Sequence, residues 1–199
     1  MKPVSSFTED RVLWQDFLAG EVRAFEKLMA GNFRLLFRYG SKFSKDRELV
    51  KDSIQDLFLV LWEKRGNLNP DAAVKPYLMA SLRRLMHRQV SSRAWVGGEV
   101  FQEEDDYFDI EFSVEEEYIA NEATVARTRQ LQNLLNALPR RQKEVVYLKF
   151  FQELSREQIA EVMAVSPQTV SNLLQIAIRH LRTHWKAEFL IFFLLHFLF

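Results

Sequence analysis

Residues 154–181 decide the fold, and they read LSREQIAEVMAVSPQTVSNLLQIAIRHL. Ser155 is followed three positions later by Gln158, which is the spacing of a capping box at the start of a helix. Ser166 and Pro167 mark a second helix start, because serine caps helices well and proline fits the first helical position. The stretch therefore predicts two helices joined by a short turn, as in a helix-turn-helix.

The second of these helices has two unlike faces. An apolar face recurs at helical spacing at Val170, Leu173, Leu174, Ala177 and Leu181. The polar side chains on the other side suit base edges and phosphates in a major groove. Those that we assign to DNA contact are Ser166, Gln168, Thr169, Ser171, Asn172, Gln175 and Arg179. An ordinary helical corner with a solvated outer face is the alternative. Ala164 fits less well, because glycine is easiest if the turn needs left-handed backbone.

The rest of the chain is also predicted to be helical. It has 199 residues with only six glycines, and no alternation typical of strands is visible. Cysteine is absent, which excludes a disulfide framework and thiolate metal sites. Residues 1–10 lack the basic start and apolar run of a signal peptide, so we expect a cytoplasmic protein.

We predict an all-α protein with two small helical domains, an acidic linker between them and a short hydrophobic C-terminal helix. Breaks at glycine, asparagine and proline, and the loss of helical periodicity after Gly97, set the boundaries. The predicted segments are residues 8–92, 93–113, 114–186 and 187–199.

Charge is distributed in blocks, although the formal net charge is zero. Residues 74–94 contain five Lys/Arg and no acid, and residues 95–126 contain eleven Asp/Glu and no Lys/Arg. Residues 127–186 contain ten Lys/Arg against four Glu. A single charge run is often a solvated surface, but two basic blocks on helical segments favour contact with a polyanion.

A helix predicted from Asp46 to Arg65 has a core face and a possible partner face. The core face is formed by Ile54, Leu57, Phe58 and Leu61. The opposite stripe contains Asp52, Gln55, Asp56, Leu59 and Glu63, with Trp62 at its edge. Apolar anchors within a polar rim are typical of protein interfaces, whereas a solvated face with one stray leucine is the alternative.

Three segments together resemble the sigma-70 family of RNA polymerase sigma factors. Residues 52–64, DSIQDLFLVLWEK, resemble region 2.2 of that family. Residues 138–145, LPRRQKEV, and the helix-turn-helix resemble region 4. Two such domains in this order, with no region 3 domain between them, resemble the extracytoplasmic-function (ECF) group.

The resemblance implies that the chain binds core RNA polymerase and directs promoter-specific initiation. The first domain would dock on the β′ clamp helices and would bind and open the −10 element. The second would read the −35 element and touch the β flap, while the linker threads towards the active-site channel. The implied polymerase-binding residues are Asp52, Gln55, Asp56, Phe58, Leu59, Trp62 and Glu63, with support of that face from below as another role for Phe58. The implied −10 residues are Lys75, Tyr77, Arg83, Arg84 and Arg88.

The C-terminal tail is the least explained segment. Residues 189–199 contain one polar side chain, His196, and as a helix they would span about 16 Å, too short for a bilayer core of about 30 Å. Packing into the protein's own groove, binding an anti-sigma factor and weak membrane contact all stay open. An anti-sigma partner would also hold the chain at the inner membrane.

Neither an enzyme nor a cofactor or metal protein is indicated. His180 and His184 lie one helical turn apart, but no third ligand is obvious, and no phosphate loop or nucleophile motif is present. Two other classes remain: a helix-turn-helix regulator that does not join polymerase, and a membrane-tethered interaction protein.

Overall fold

The computed structural model describes residues 4–96, 108 and 122–184, with side chains described at 10–89, 108 and 129–182. The chain forms two compact units, which contain most of the described residues before and after position 100 respectively. Eight α-helices and no strand occur in the described parts, so the prediction of an all-α protein is confirmed. The tail at 187–199 and the predicted linker, except for 93–96 and Phe108, lie outside the described residues.

Four α-helices build the first unit. They are α1 (Val4–Leu18), α2 (Val22–Gly40), α3 (Arg47–Lys64) and α4 (Val74–Val96), and a single 3₁₀ turn, Arg65–Asn67, follows α3. Asp46 starts α3 because its carboxylate accepts the backbone N–H groups of Glu48 and Leu49. Helix α4 continues to Val96, past the predicted domain boundary at residue 92.

The predicted core face of α3 is confirmed, since Ile54, Leu57, Phe58 and Leu61 are all buried. They meet aromatic and aliphatic side chains of the other three helices, among them Trp14, Phe17, Leu28, Leu36, Tyr39, Leu78 and Leu82. Helices α2 and α3 approach closely at Gly40, where a Cβ atom would lie 2.8 Å from Cγ1 of Val50. A larger residue at this position would push the two helices apart.

Four α-helices also build the described part of the second unit. They are α5 (Glu122–Asn136), α6 (Arg140–Val146), α7 (Arg156–Met163) and α8 (Pro167–His184). The sequence predicts four helices here, but it does not predict the π-helical segment Tyr147–Phe151 that continues α6. Short π segments widen the helix and occur often at functional positions.

An aromatic side chain from the predicted linker forms part of the second unit's core. Phe108 is fully buried, and its ring lies 5.9 Å from the ring of Tyr147 at the start of the π segment. Tyr147 in turn stacks on Phe151 and accepts a hydrogen bond from Nε2 of Gln152 on its hydroxyl. The predicted linker 93–113 therefore contains at least one ring that is removed from water.

Candidate DNA-binding helix pair and partner-binding helix

Both helices of the predicted helix-turn-helix start at the expected caps. Oγ of Ser155 accepts from the backbone N–H of Gln158, whose Oε1 accepts from the backbone N–H of Ser155. This reciprocal pair is the capping box that the sequence predicts. At α8, Oγ of Ser166 accepts from the backbone N–H of Thr169. Three of the backbone N–H donors at these helix ends are thereby satisfied within the chain.

The turn between α7 and α8 uses left-handed backbone at Ala164, with φ of 52°. Its hydrogen bonds are those of a Schellman ending: Val165 N–H donates to Ala160 O, and Ala164 N–H donates to Glu161 O. Ala164 thus adopts the left-handed backbone that glycine reaches more easily. At the other end of α7, Glu157 lies in the first turn, where the helix dipole favours a negative charge. A backbone N–H hydrogen bond and then Arg156 lower the pKa of the Glu157 carboxyl.

Helix α8 presents most of the predicted polar residues outward. Val170, Ala177 and Leu181 are buried on its inner side. Gln168, Asn172, Gln175 and Arg179 are exposed, whereas Thr169 and Ser171 are half-buried. Nε2 of Gln168 donates to Oδ1 of Asn172 at 3.0 Å, which aligns two amides along the helix. Oγ of Ser171 is turned to the backbone oxygen of Pro167 instead.

Ile176 was not among the predicted contacts, yet its side chain is 47% exposed. It lies four residues after Asn172 and three before Arg179, so helical spacing puts it on the same polar stripe. An apolar side chain there fits the methyl group of thymine. An isoleucine within an otherwise polar helical stripe is the sequence signal that could have identified Ile176 as a candidate contact.

The outer stripe of α3 is exposed as predicted. Asp52, Gln55, Asp56 and Glu63 face solvent, and Leu59 among them is 60% exposed. Val60, next to Leu59, is exposed as well. Two neighbouring aliphatic side chains inside a ring of amides and carboxylates form a small apolar patch of the kind that anchors a partner protein.

Two residues of the implied polymerase-binding set lie off the exposed stripe. Phe58 is buried, and its ring meets the ring of Phe25 edge-on at 6.1 Å, so it supports the face from below and does not form it. Trp62 is half-buried, with its ring 5.1 Å from that of Phe25. The Arg65 guanidinium lies 4.3 Å from the Trp62 ring centroid, which closes the outer edge of this aromatic cluster.

A polar bridge joins α3 to α4 beside the exposed stripe. Oγ of Ser53, which is buried, is 2.7 Å from Leu49 O and 2.8 Å from Oε1 of Gln89. Nε2 of Gln89 donates to Oδ2 of Asp56 at 3.4 Å. One carboxylate of the candidate partner face is therefore connected to the helix that carries the predicted −10 residues.

The predicted −10 residues are all found on α4. Lys75, Tyr77 and Arg83 are half-buried, whereas Arg84 and Arg88 are exposed. The ring of Tyr77 lies 5.9 Å from that of Trp14, whose Nε1 donates to Asn69 O in the loop before α4. The loop and the start of α4 are thus fixed to α1, and among the side chains of α4 that the structure describes, up to residue 89, Arg84 and Arg88 are exposed cations.

The described residues offer neither a metal site nor a membrane-spanning helix. Within residues 4–96, 108 and 122–184, no three His, Asp or Glu side chains lie where they would hold a metal ion. Across those same ranges, no helix has the length and apolar character to span a membrane.

Comparisons with known proteins agree with both halves of this picture. The sequence model for Sigma-70 region 2 matches residues 28–96, and that for Sigma-70, region 4 matches residues 128–181. Two ECF RNA polymerase sigma factors SigK, from Mycobacterium sp. strains JLS and KMS, are 22% identical over 176 residues, which cover 88% of this chain and 90% of each relative.

Two solved structures have the same fold. CnrH in complex with the cytosolic domain of CnrY aligns with a TM-score of 0.57 at 21% identity, over 87% of this chain and 95% of that chain. The sigma factor RpoE in complex with the anti-sigma factor NepR, from Bartonella quintana, aligns with a TM-score of 0.56 at 17% identity, over 82% and 97%.

The chain belongs to the sigma-70 family of RNA polymerase sigma factors. Within that family it is an alternative factor of the ECF group.

Proposed function

We propose that this alternative sigma factor binds core RNA polymerase through α3 and directs it to promoters through α4 and α8. The single observation that carries the proposal is the exposed stripe of α3 in the unit that also contains the basic helix α4. An apolar centre at Leu59 within a polar rim has the composition of a protein interface, which a protein that only bound DNA does not need.

The proposed polymerase contact is centred on Leu59. Asp52, Gln55, Asp56 and Glu63 surround it and are accessible. Carboxylates and amides at the rim of such a patch fix orientation, while the buried apolar centre supplies most of the binding energy. We assign the contact to the β′ clamp helices, with Phe58 and Trp62 holding the shape of the surface.

The proposed −10 contacts lie on α4. Melting of this element requires cations for the unstacked strand and aromatic surface for an extruded base. Arg84 and Arg88 are exposed and supply the cations. Tyr77 is half-buried and packed on Trp14, so we assign it a supporting or edge contact, together with Lys75 and Arg83.

The proposed −35 contacts lie on the outer stripe of α8. Amide side chains read adenine through its N6 and N7 atoms, which suits the aligned pair Gln168 and Asn172. Ile176 adds an apolar contact, and Arg179 reaches a phosphate. Ser166 and Thr169 lie at the first turn, where helix N–H groups favour phosphate. Ser171 and Gln175 complete the predicted set. The β flap is a further expected partner of this unit.

We assign no catalysis, cofactor or metal to the chain, because the polymerase supplies the chemistry of transcription. Polymerase and promoter DNA place its action in the cytoplasm. The complexes of two structural neighbours, one with CnrY and one with the anti-sigma factor NepR, support regulation by an anti-sigma partner. Residues 187–199 are a candidate contact for such a partner or for a membrane surface.

Association with core polymerase tests the proposal most directly. We expect the purified chain to form a stoichiometric complex with core enzyme and to give run-off transcripts from mapped start sites. Leu59→Ala should weaken the complex at least tenfold, which corresponds to about 1.4 kcal/mol, because a hot-spot anchor is lost. Leu59 is a cleaner probe than Trp62, whose removal would also disturb the aromatic cluster.

Val12→Ala is a matched control, since Val12 is also an exposed aliphatic residue but lies on α1. It should leave the complex unchanged. A chain that binds a DNA site tightly by itself and ignores core enzyme would instead be a helix-turn-helix regulator. If Leu59→Ala and Val12→Ala weakened the complex with core polymerase equally, α3 would not be the polymerase contact.

A further inference from the structure

The turn between α2 and α3 carries cations that none of the surfaces described above uses. Arg34 and Arg38 lie one helical turn apart near the end of α2, and Lys42 and Lys45 follow in the turn. We call these four residues the turn cluster. Arg34, Arg38 and Lys45 are exposed, and Lys42 is half-buried.

The charges of the turn cluster are not neutralised within the described part of the chain. None of the four side chains forms an ion pair there with a carboxylate. The nearest acid in sequence, Asp46, instead caps α3 with its carboxylate. Burial, and then the neighbouring Arg38 guanidinium, lower the pKa of the Lys42 ammonium. Like charges at this spacing repel, so the folded protein carries a cost here that an anionic ligand would remove.

Aromatic packing places the turn cluster beside the C-terminal half of α4. Phe43, which follows Lys42, has its ring 5.1 Å from that of Tyr39 and 5.4 Å from that of His87. His87 directly precedes Arg88 and lies one helical turn after Arg84 on α4. Residues 74–94 contain no acid, so this part of α4 brings no carboxylate beside the cations of the turn.

We propose that the turn cluster binds phosphates of the double-stranded promoter DNA that leads upstream from the −10 element. The opened −10 strand is assigned to the loop before α4 and to Arg84 and Arg88, and the contact of Phe43 with His87 places the turn cluster beside these arginines, where the adjoining duplex would lie. A duplex offers regularly spaced phosphates to such a surface, and the contact is independent of sequence. The proposal rests on the proposed function.

The test compares two double variants of the full chain, each of which replaces two cationic side chains by uncharged glutamines. Each variant is assembled with core polymerase. Arg38→Gln with Lys45→Gln removes two exposed members of the turn cluster. Arg23→Gln with Lys27→Gln removes two exposed cations from the other end of α2 and is the matched control. Lys42 is left intact because it is partly buried.

Affinity for a promoter fragment is measured across a salt series. Each phosphate contact contributes about 0.9 to the slope of log K against log salt, so the turn variant should lower the slope by about 2. Its affinity near 0.1 M salt should fall by roughly tenfold or more. On a fragment truncated directly upstream of the −10 element, the turn variant should match the unmodified chain. The control variant should change neither measurement.

Three results would overturn the proposal while leaving the proposed function intact. The first is an equal slope for the turn variant and the control. The second is an equal loss of affinity on the truncated fragment, which would place the contact elsewhere. The third is weaker association with core polymerase, which would make the turn cluster a protein-binding surface. If the unmodified chain failed to bind core polymerase, both the turn-cluster proposal and the proposed function would be overturned.

Discussion

At the scale of single residues, Ala164 holds the turn between α7 and α8 in a conformation that glycine adopts more easily. The left-handed backbone costs an L-residue about 1–2 kcal/mol, whereas glycine loses about 0.5–1 kcal/mol more in chain entropy on folding. The two terms nearly offset each other, and the left-handed cost is the larger. Alanine at this position therefore costs stability without improving contact with DNA, since its side chain is one methyl group.

Ala164→Gly should stabilise the protein by up to about 1 kcal/mol. Thermal unfolding followed by circular dichroism measures the change. Ala30→Gly is the opposite control, because Ala30 is an exposed residue inside α2, where glycine costs about 1 kcal/mol. A loss of stability in both variants would mean that φ at residue 164 is not left-handed in solution.

Phe108 shows that one residue of a nominal linker can belong to a core. Phe108→Ala should destabilise the second unit by about 3–5 kcal/mol, because it removes a fully buried ring beside Tyr147. Phe151→Ala, which removes an exposed ring that stacks on Tyr147, should cost much less. Urea unfolding of both variants measures the difference. Equal values would show that Phe108 is not seated in this core.

At the scale of elements, local chemistry explains which predictions succeeded. The starts of α7 and α8 could be predicted because Ser155, Gln158 and Ser166 cap residues of their own helices. The buried face of α3 followed from its periodicity. The π segment Tyr147–Phe151 could not be predicted, because residues far apart in sequence meet there. The edge-on contact of the Phe58 ring with Phe25 likewise depends on packing against another helix, although the burial of Phe58 itself followed from the periodicity of α3.

Some of the candidate sites could be identified from the sequence, and others could not. The polar stripe of α8 and the outer stripe of α3 could be identified from helical spacing alone. The turn cluster could not, because its relation to α4 depends on the contact between Phe43 and His87. The half-buried positions of Tyr77 and Trp62 also depend on ring packing across helices. Helical periodicity gives the face of a residue but not the neighbours of that face.

The recognition helix α8 permits a sharp comparison between adjacent residues. Asn172 is exposed and aligned with Gln168, whereas the hydroxyl of Ser171 is bonded to the backbone of its own helix. Asn172→Ala should therefore reduce discrimination between a promoter and one with a scrambled −35 element by about 1–3 kcal/mol. Ser171→Ala should reduce it by less. Competition binding of the polymerase complex to the two fragments measures this, and a larger effect of Ser171→Ala would contradict the assignment.

At the scale of the whole molecule, the proposed polymerase contact around Leu59 and the proposed −35 contact around Asn172 lie on different compact units and share no residue. Leu59 belongs to the first unit and Asn172 to the second. Polymerase association and −35 recognition should then contribute separately to the free energy of initiation. Free energies of substitutions at sites without shared partners usually add within about 0.3–0.5 kcal/mol.

Leu59→Ala combined with Asn172→Ala should therefore lower initiation by the product of the two single effects. Run-off transcription at subsaturating protein concentration measures the four rates of the cycle, and association with core enzyme is measured in parallel. Asn172→Ala should leave that association unchanged, and Leu59→Ala should leave the preference for the −35 sequence unchanged. A departure from additivity of more than about 1 kcal/mol would mean that the units communicate once they are bound to polymerase, because independent surfaces cannot produce such a coupling energy.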